Sequence, residues 1–147
     1  MLRFSGIRDF KLIREDLWAK LRDAEFLAKC IPGVAAIKSQ DRDRLLCTIH
    51  PGFSFVQGSL EVSLQVADIL PGQSAMVTLV SKGIGATSEI QARFDLVSRD
   101  SGTRLDWSAE IVKLGGLLKA IPQGLIKASA QKVIEDLLSH VESKVQA

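Results

Sequence analysis

A chain of 147 residues, 46% apolar and 24% charged with a formal net charge of +2, has the composition of an ordinary folded domain, which excludes disordered and fibrous classes. A domain of that length buries roughly 68–70% of its unfolded surface, so its core needs no staples. The 19 basic residues are scattered rather than clustered, which excludes a nucleic-acid footprint.

Leu2, Phe4, Phe10 and Leu12 partly alternate, which predicts a first strand interrupted by Gly6. The period then changes: Leu17, Trp18 and Leu21 fall at helical spacing in a segment from about Arg14 to Leu21. Asp23 is placed to cap a second short helix holding Phe26, Leu27 and Ile31, and Pro32-Gly33 ends it. On these helices Arg14, Lys20, Arg22 and Lys29 are interleaved with Glu15, Asp16, Asp23 and Glu25, which reads as a solvated face.

From Val34 to Leu114 the sequence reads as strands separated by Asp41-Arg42-Asp43, Leu70-Pro71-Gly72 and Arg99-Asp100-Ser101-Gly102. Leu60, Val62, Leu64 and Val66 alternate with polar residues, as do Ile90, Ala92, Phe94 and Leu96, and Leu105, Trp107, Ala109 and Ile111. That pattern belongs to an antiparallel sheet with one wet face and one buried face. After Gly115-Gly116 the pattern is helical, with a short turn expected from Leu117 to Ile121 and a break before the main helix near Pro122 and Gly124. Ile126, Ala130, Val133, Leu137 and Val141 share one face of that helix, opposite Lys127, Gln131, Glu135 and Glu142.

The fold class is therefore α+β, one domain over residues 1–147: a curved antiparallel sheet wrapped around a long C-terminal helix, with two short helices between the first two strands. Such a grip can enclose an apolar pocket. Alternation places Val62, Leu64, Val77, Leu79, Ile90, Phe94, Trp107 and Ile111 inward, with Ile121 and Leu125 expected to close the pocket from the helix end. The same residues packed solidly as core would leave a scaffold acting through its surface.

Catalytic and metal-binding patterns are missing. His50 and His140 read as surface or capping histidines, and Gly52-Phe53-Ser54-Phe55-Val56 lacks the second glycine of a nucleophile elbow. Gly83-Ile84-Gly85-Ala86 has neither the spacing nor the following helix of a phosphate loop and reads as turn glycines. Asp106 and Glu110 fall on a wet strand face. Glu61 and Glu89 also read as outward, but a one-residue slip of register would turn them into the pocket and reopen the question of an enzyme. Cys30 and Cys47 read as buried thiols of a reducing compartment, and two histidines with two cysteines at unrelated spacings make no metal set. Neither a covalently bound cofactor nor a metal is expected. The opening Met1-Leu2-Arg3-Phe4-Ser5-Gly6 lacks the apolar run of a signal peptide, no stretch approaches the roughly 20 apolar residues of a membrane span, and no asparagine offers a glycosylation site. A cytoplasmic location is the expectation.

Phe4-Ser5-Gly6, Trp18 followed by Leu21-Arg22-Asp23-Ala24-Glu25, then Leu27-Ala28-Lys29-Cys30-Ile31-Pro32-Gly33, and later Gly102-Thr103-Arg104-Leu105 resemble the carbon monoxide dehydrogenase CoxG family. That family lies within the START and Bet v 1-like (SRPBCC) helix-grip superfamily. The likeness spans essentially the whole chain, with Pro122 departing from the family's usual helix start. It implies a non-catalytic accessory protein of a molybdenum hydroxylase, holding a lipophilic molecule such as a quinone or another lipid and assisting recruitment of the dehydrogenase to the membrane. Family members often carry a further C-terminal segment. With the helical pattern running to Ala147, membrane contact is expected to be peripheral at most. Other helix-grip branches imply the alternative of a cyclase- or hydrolase-like enzyme using a buried carboxylate or histidine.

Overall fold

A computed structural model describes residues 2–41, 43–50, 58–83 and 85–145. Strand β1 (Leu2–Phe10) is followed by helices α1 (Arg14–Leu21) and α2 (Ala24–Cys30) and then by six strands: β2 (Val34–Gln40), β3 (Arg44–Ile49), β4 (Leu60–Leu70), β5 (Ser74–Gly83), β6 (Ala86–Arg99) and β7 (Gly102–Gly116). A single turn of 3-10 helix at Leu117–Ala120 leads into α3, Gln123–Val145. The strands form one antiparallel seven-stranded sheet in the order β1-β7-β6-β5-β4-β3-β2, and it curves around α3. This is the expected helix-grip architecture.

Local chemistry accounts for the boundaries. The Asp23 carboxylate accepts from the Glu25 amide at 3.1 Å and caps α2, satisfying one of the donors a helix start leaves free. Beyond α2 the chain reverses at Gly33, whose φ of 81° suits glycine, and the His50 amide donates to the Gly33 carbonyl at 2.7 Å. Leu70-Pro71-Gly72 closes the β4–β5 turn, with the Gln73 amide donating to the Leu70 carbonyl at 2.9 Å.

Gly6 does not interrupt β1; the strand pairs with β7 from Leu2 to Phe10 without a break. The glycine is opposite Trp107, and a β-carbon there would stand 2.8 Å from the indole ring. Its absence makes room for the indole, which Phe4 meets edge to face with ring centroids 5.9 Å apart.

The Gly102-Thr103-Arg104-Leu105 segment clamps the C-terminal end of β1. Thr103 Oγ1 donates to the Leu12 carbonyl at 2.7 Å, and Arg104 grips Asp9 with bonds of 2.9 and 3.3 Å, while Leu105 is buried. The arginine holds the Asp9 carboxyl below its ordinary range, chiefly through that hydrogen bond.

The inward parity of the strands agrees with the alternation: Val62, Leu64 and Val66 of β4 and Leu105, Trp107, Ala109 and Ile111 of β7 are all buried. Against them α3 buries Ile126, Leu138 and Val141. Trp18 fastens α1 to the sheet by packing against Phe94 at 6.0 Å between centroids.

Register rules out an inward turn of either glutamate. Glu61 pairs across the sheet with Lys82 and forms a 3.2 Å ion pair with Lys38, and Glu89 accepts from Gln91, two residues along the same face. One slip does occur, beside Glu89. Lys113 pairs with Glu89 and Ile111 with Ile90, so Val112 is an extra residue in β7 that bends the strand near its end.

Candidate functional site

Among the described residues, two apolar cavities lie between the sheet and α3. The larger, about 150 Å³, is at the end of the grip where the 3-10 turn enters α3; its wall includes Val62, Leu79, Ile90 and Ile111 from the strands, Leu118 from the turn, and Ile126, Ala130, Val133 and Leu137 from the helix. The smaller, about 80 Å³, lies toward α1 and α2 and is walled by Leu64, Val77, Leu79, Ile90, Phe94 and Trp107 together with Leu21, Leu27, Leu137 and Leu138. Leu79, Ile90 and Leu137 border both and form the partition between them.

Eight of the ten residues expected at a pocket thus border one cavity or the other. Ile121 and Leu125 do not. Ile121 is only half-buried against the core, and Leu125 is 46% exposed. Helical geometry explains the second: Ile126 points inward, so the residue before it is rotated about 100° toward solvent. The cavity end is closed instead by Leu118, whose turn is fixed where the Leu117 amide donates to the Gly85 carbonyl at 2.9 Å.

Polar groups on the larger cavity are few. Ser81 and Ser88, opposite each other on β5 and β6, share a hydroxyl–hydroxyl hydrogen bond, and Ser129 of α3 lines the same cavity. These serines escaped the alternation argument because they are polar residues at inward positions. The signal was available by counting parity onward from Val77 and Leu79 to Ser81, and back from Ile90 to Ser88. None of the described residues lining this cavity is titratable.

Elsewhere the candidates for chemistry lie apart. His140 Nδ1 is 2.8 Å from the Cys30 carbonyl, so this histidine caps the end of α2, while His50 is exposed after β3. Ser54 and its Gly52–Val56 segment, like Ile84, lie outside the described residues. Gly83 and Gly85, with φ of 146° and 72°, belong to the β5–β6 turn. Asp106 is exposed, and Glu110 meets Arg3 at 3.5 Å on the outer face. Cys30 and Cys47 are free and fully buried, and desolvation pushes both thiols above their ordinary value. Among the described residues no group of three or more His, Cys, Asp or Glu is placed to hold a metal ion, and no helix is long and apolar enough to cross a membrane.

The fold has well-populated relatives among solved structures. A conserved protein from Geobacillus kaustophilus superposes with a TM-score of 0.88 at 24% identity, over 99% of this chain and 95% of that one. A START superfamily protein from Mycobacterium smegmatis gives 0.72 at 13% identity, covering 98% and 97%. The AHSA1 protein from Silicibacter pomeroyi gives 0.67 at 16% identity, covering 99% and 98%. At these identities the likeness is one of fold. Comparison with curated proteins gives no match. The family model for the carbon monoxide dehydrogenase protein CoxG matches residues 8–146, and the chain therefore belongs to the CoxG family, with a START-like helix-grip fold.

Proposed function

We infer that the chain is a non-catalytic carrier of a neutral, lipophilic small molecule, held between sheet and α3 by Val62, Leu64, Val77, Leu79, Ile90, Phe94, Trp107 and Ile111. The observation that supports this most is the composition of the larger cavity, an apolar wall with three serine hydroxyls and no titratable residue among those described. Burial in such a wall yields about 25 cal/mol per Å² of apolar ligand surface. A ligand carboxylate or phosphate would be stripped of water there with no cation to meet it. The fitting ligand is long, uncharged and weakly polar at one end, and an isoprenoid quinone has that chemistry.

At about 150 and 80 Å³ the cavities even together fall short of the roughly 300–1,000 Å³ of typical ligand sites, so a quinone needs both and a further parting of α3 from the sheet. Rotation of Leu79, Ile90 and Leu137 joins them. Family membership supports the rest of the reading: a cytoplasmic accessory protein that serves a carbon monoxide dehydrogenase-type molybdenum hydroxylase and meets the membrane peripherally.

The test is native mass spectrometry of the purified chain with and without added quinone, alongside Ala130→Phe, which puts a ring into the larger cavity. The wild type should carry or take up one quinone and the variant should not. A wild type that stays empty, or a variant that binds equally well, sinks the carrier reading.

A further inference from the structure

The inner face of the β5–β6 hairpin changes character along its length. Counted away from the turn, its cross-strand pairs on the cavity side are Ser81 with Ser88, Leu79 with Ile90, Val77 with Ala92, and Ala75 with Phe94. Phe94 is opposite Trp107 on β7, and Trp18 of α1 packs against the same phenylalanine. Hydroxyls therefore stand at one end of this face and aromatic rings at the other, about 20 Å apart at the usual strand rise, with only hydrocarbon between them. The two cavities follow that run: the serines line the larger, and Phe94 and Trp107 line the smaller. Both tryptophans of the chain are at the aromatic end.

The hydroxyl end has a proton to spare. A serine hydroxyl has one proton to donate and two lone pairs to accept with. Ser81 and Ser88 hold two such protons between them, and their mutual hydrogen bond uses one. Neither makes another side-chain hydrogen bond to a described residue, and Ser129, the third hydroxyl on the cavity, makes none. A donor left without an acceptor is unfavourable in an apolar wall, where two alanines would have left no polar group to satisfy. What this end of the cavity lacks is a neutral oxygen acceptor.

We propose that Ser81 and Ser88 are the polar subsite of the cavity and orient the ligand. Their free proton is donated to a carbonyl oxygen, which sets the polar end of the ligand beside the β5–β6 turn and sends its apolar tail past Leu79 and Ile90 toward Phe94 and Trp107. This rests on the carrier reading and adds to it the group the ligand must bear and the direction in which it lies. A quinone meets the requirement through a ring carbonyl. A plain hydrocarbon does not, and a ligand lying the other way would leave the serine proton unpaired and its own carbonyl among aromatic rings.

The experiment is titration of the purified chain, followed by tryptophan fluorescence, with three probes. The first is a long-chain methyl ketone brominated at the far end of its chain, the second is its isomer brominated a few carbons from the carbonyl, and the third is a terminally brominated alkane of the same length. Bromine quenches indole on near contact, so in wild type the first ketone should quench, while its isomer should displace it and quench little. Ser81→Ala with Ser88→Ala should weaken ketone binding about tenfold, the effect of one hydrogen bond, and leave the affinity for the bromoalkane and the thermal midpoint close to wild type. Stronger quenching by the isomer overturns the orientation. Ketone binding by the double variant as tight as wild type, or an equal loss for ketone and alkane, overturns the subsite and leaves the carrier reading standing. A wild type that takes up none of the three probes and no quinone overturns both.

Discussion

Gly6 shows how a residue chosen for what it lacks can set a packing arrangement. A methyl group there would stand 2.8 Å from the Trp107 ring, which is itself buried and braced by Phe4, so neither partner can yield cheaply. Gly6→Ala is expected to destabilise the fold by about 1–3 kcal/mol, read as a lower urea midpoint. Thr103 works in the opposite sense, through a bond it makes. Thr103→Val keeps the shape but leaves the Leu12 carbonyl without its donor, and should cost about 1–2 kcal/mol in the same measurement. The sequence marks Gly6 only as a strand interruption. Its real role depends on which residue of β7 lies opposite, and pairing between strands about a hundred residues apart is not written in either one alone.

At the scale of elements, α2 and α3 make the clearest predictions. Asp23→Ala removes the cap of a seven-residue helix and should lower stability by about 1 kcal/mol by thermal denaturation. Leu137 belongs to the partition between the cavities, so Leu137→Ala should join them at a cost of about 2–5 kcal/mol in stability. If joining the cavities is what admits a ligand, the same variant should take up added quinone at least as well as wild type when followed by native mass spectrometry. Element types and the positions of turns were readable because alternation, helical spacing and the Asp23 and Pro32-Gly33 signals are local. The misplacement of Leu125 was a matter of helical geometry: with Ile126 inward, the residue before it is turned by about 100° toward solvent.

For the whole molecule, the alkaline pH response is expected to follow from the two buried thiols. Burial raises both pKa values above that of an exposed cysteine, with Lys144 partly offsetting the shift at Cys30. Below about pH 8.5 the folded and unfolded chains both keep these protons. As pH rises beyond that, the unfolded chain loses them first and gains, so stability falls until the folded pKa values are passed. Cys30→Ala with Cys47→Ala should flatten the alkaline fall in denaturation midpoint, whatever the change in stability at neutral pH. An unchanged alkaline slope would show that other groups control it.

By itself the sequence determined the α+β class, the order of the elements and the face each strand buries, because residue periodicity and turn chemistry act over a few positions, whereas the outward placing of Glu61 and Glu89 waited on the register of the assembled sheet. Only the tertiary structure decided that the inward residues leave two cavities rather than a filled core, that Ser81, Ser88 and Ser129 meet at one of them, and that Leu118 rather than Ile121 or Leu125 closes it. Alternation says which way a side chain points. Whether opposing side chains fill the space between them depends on the curvature of the sheet, the bulge at Val112 and the distance at which α3 is held, and those are properties of the assembled chain.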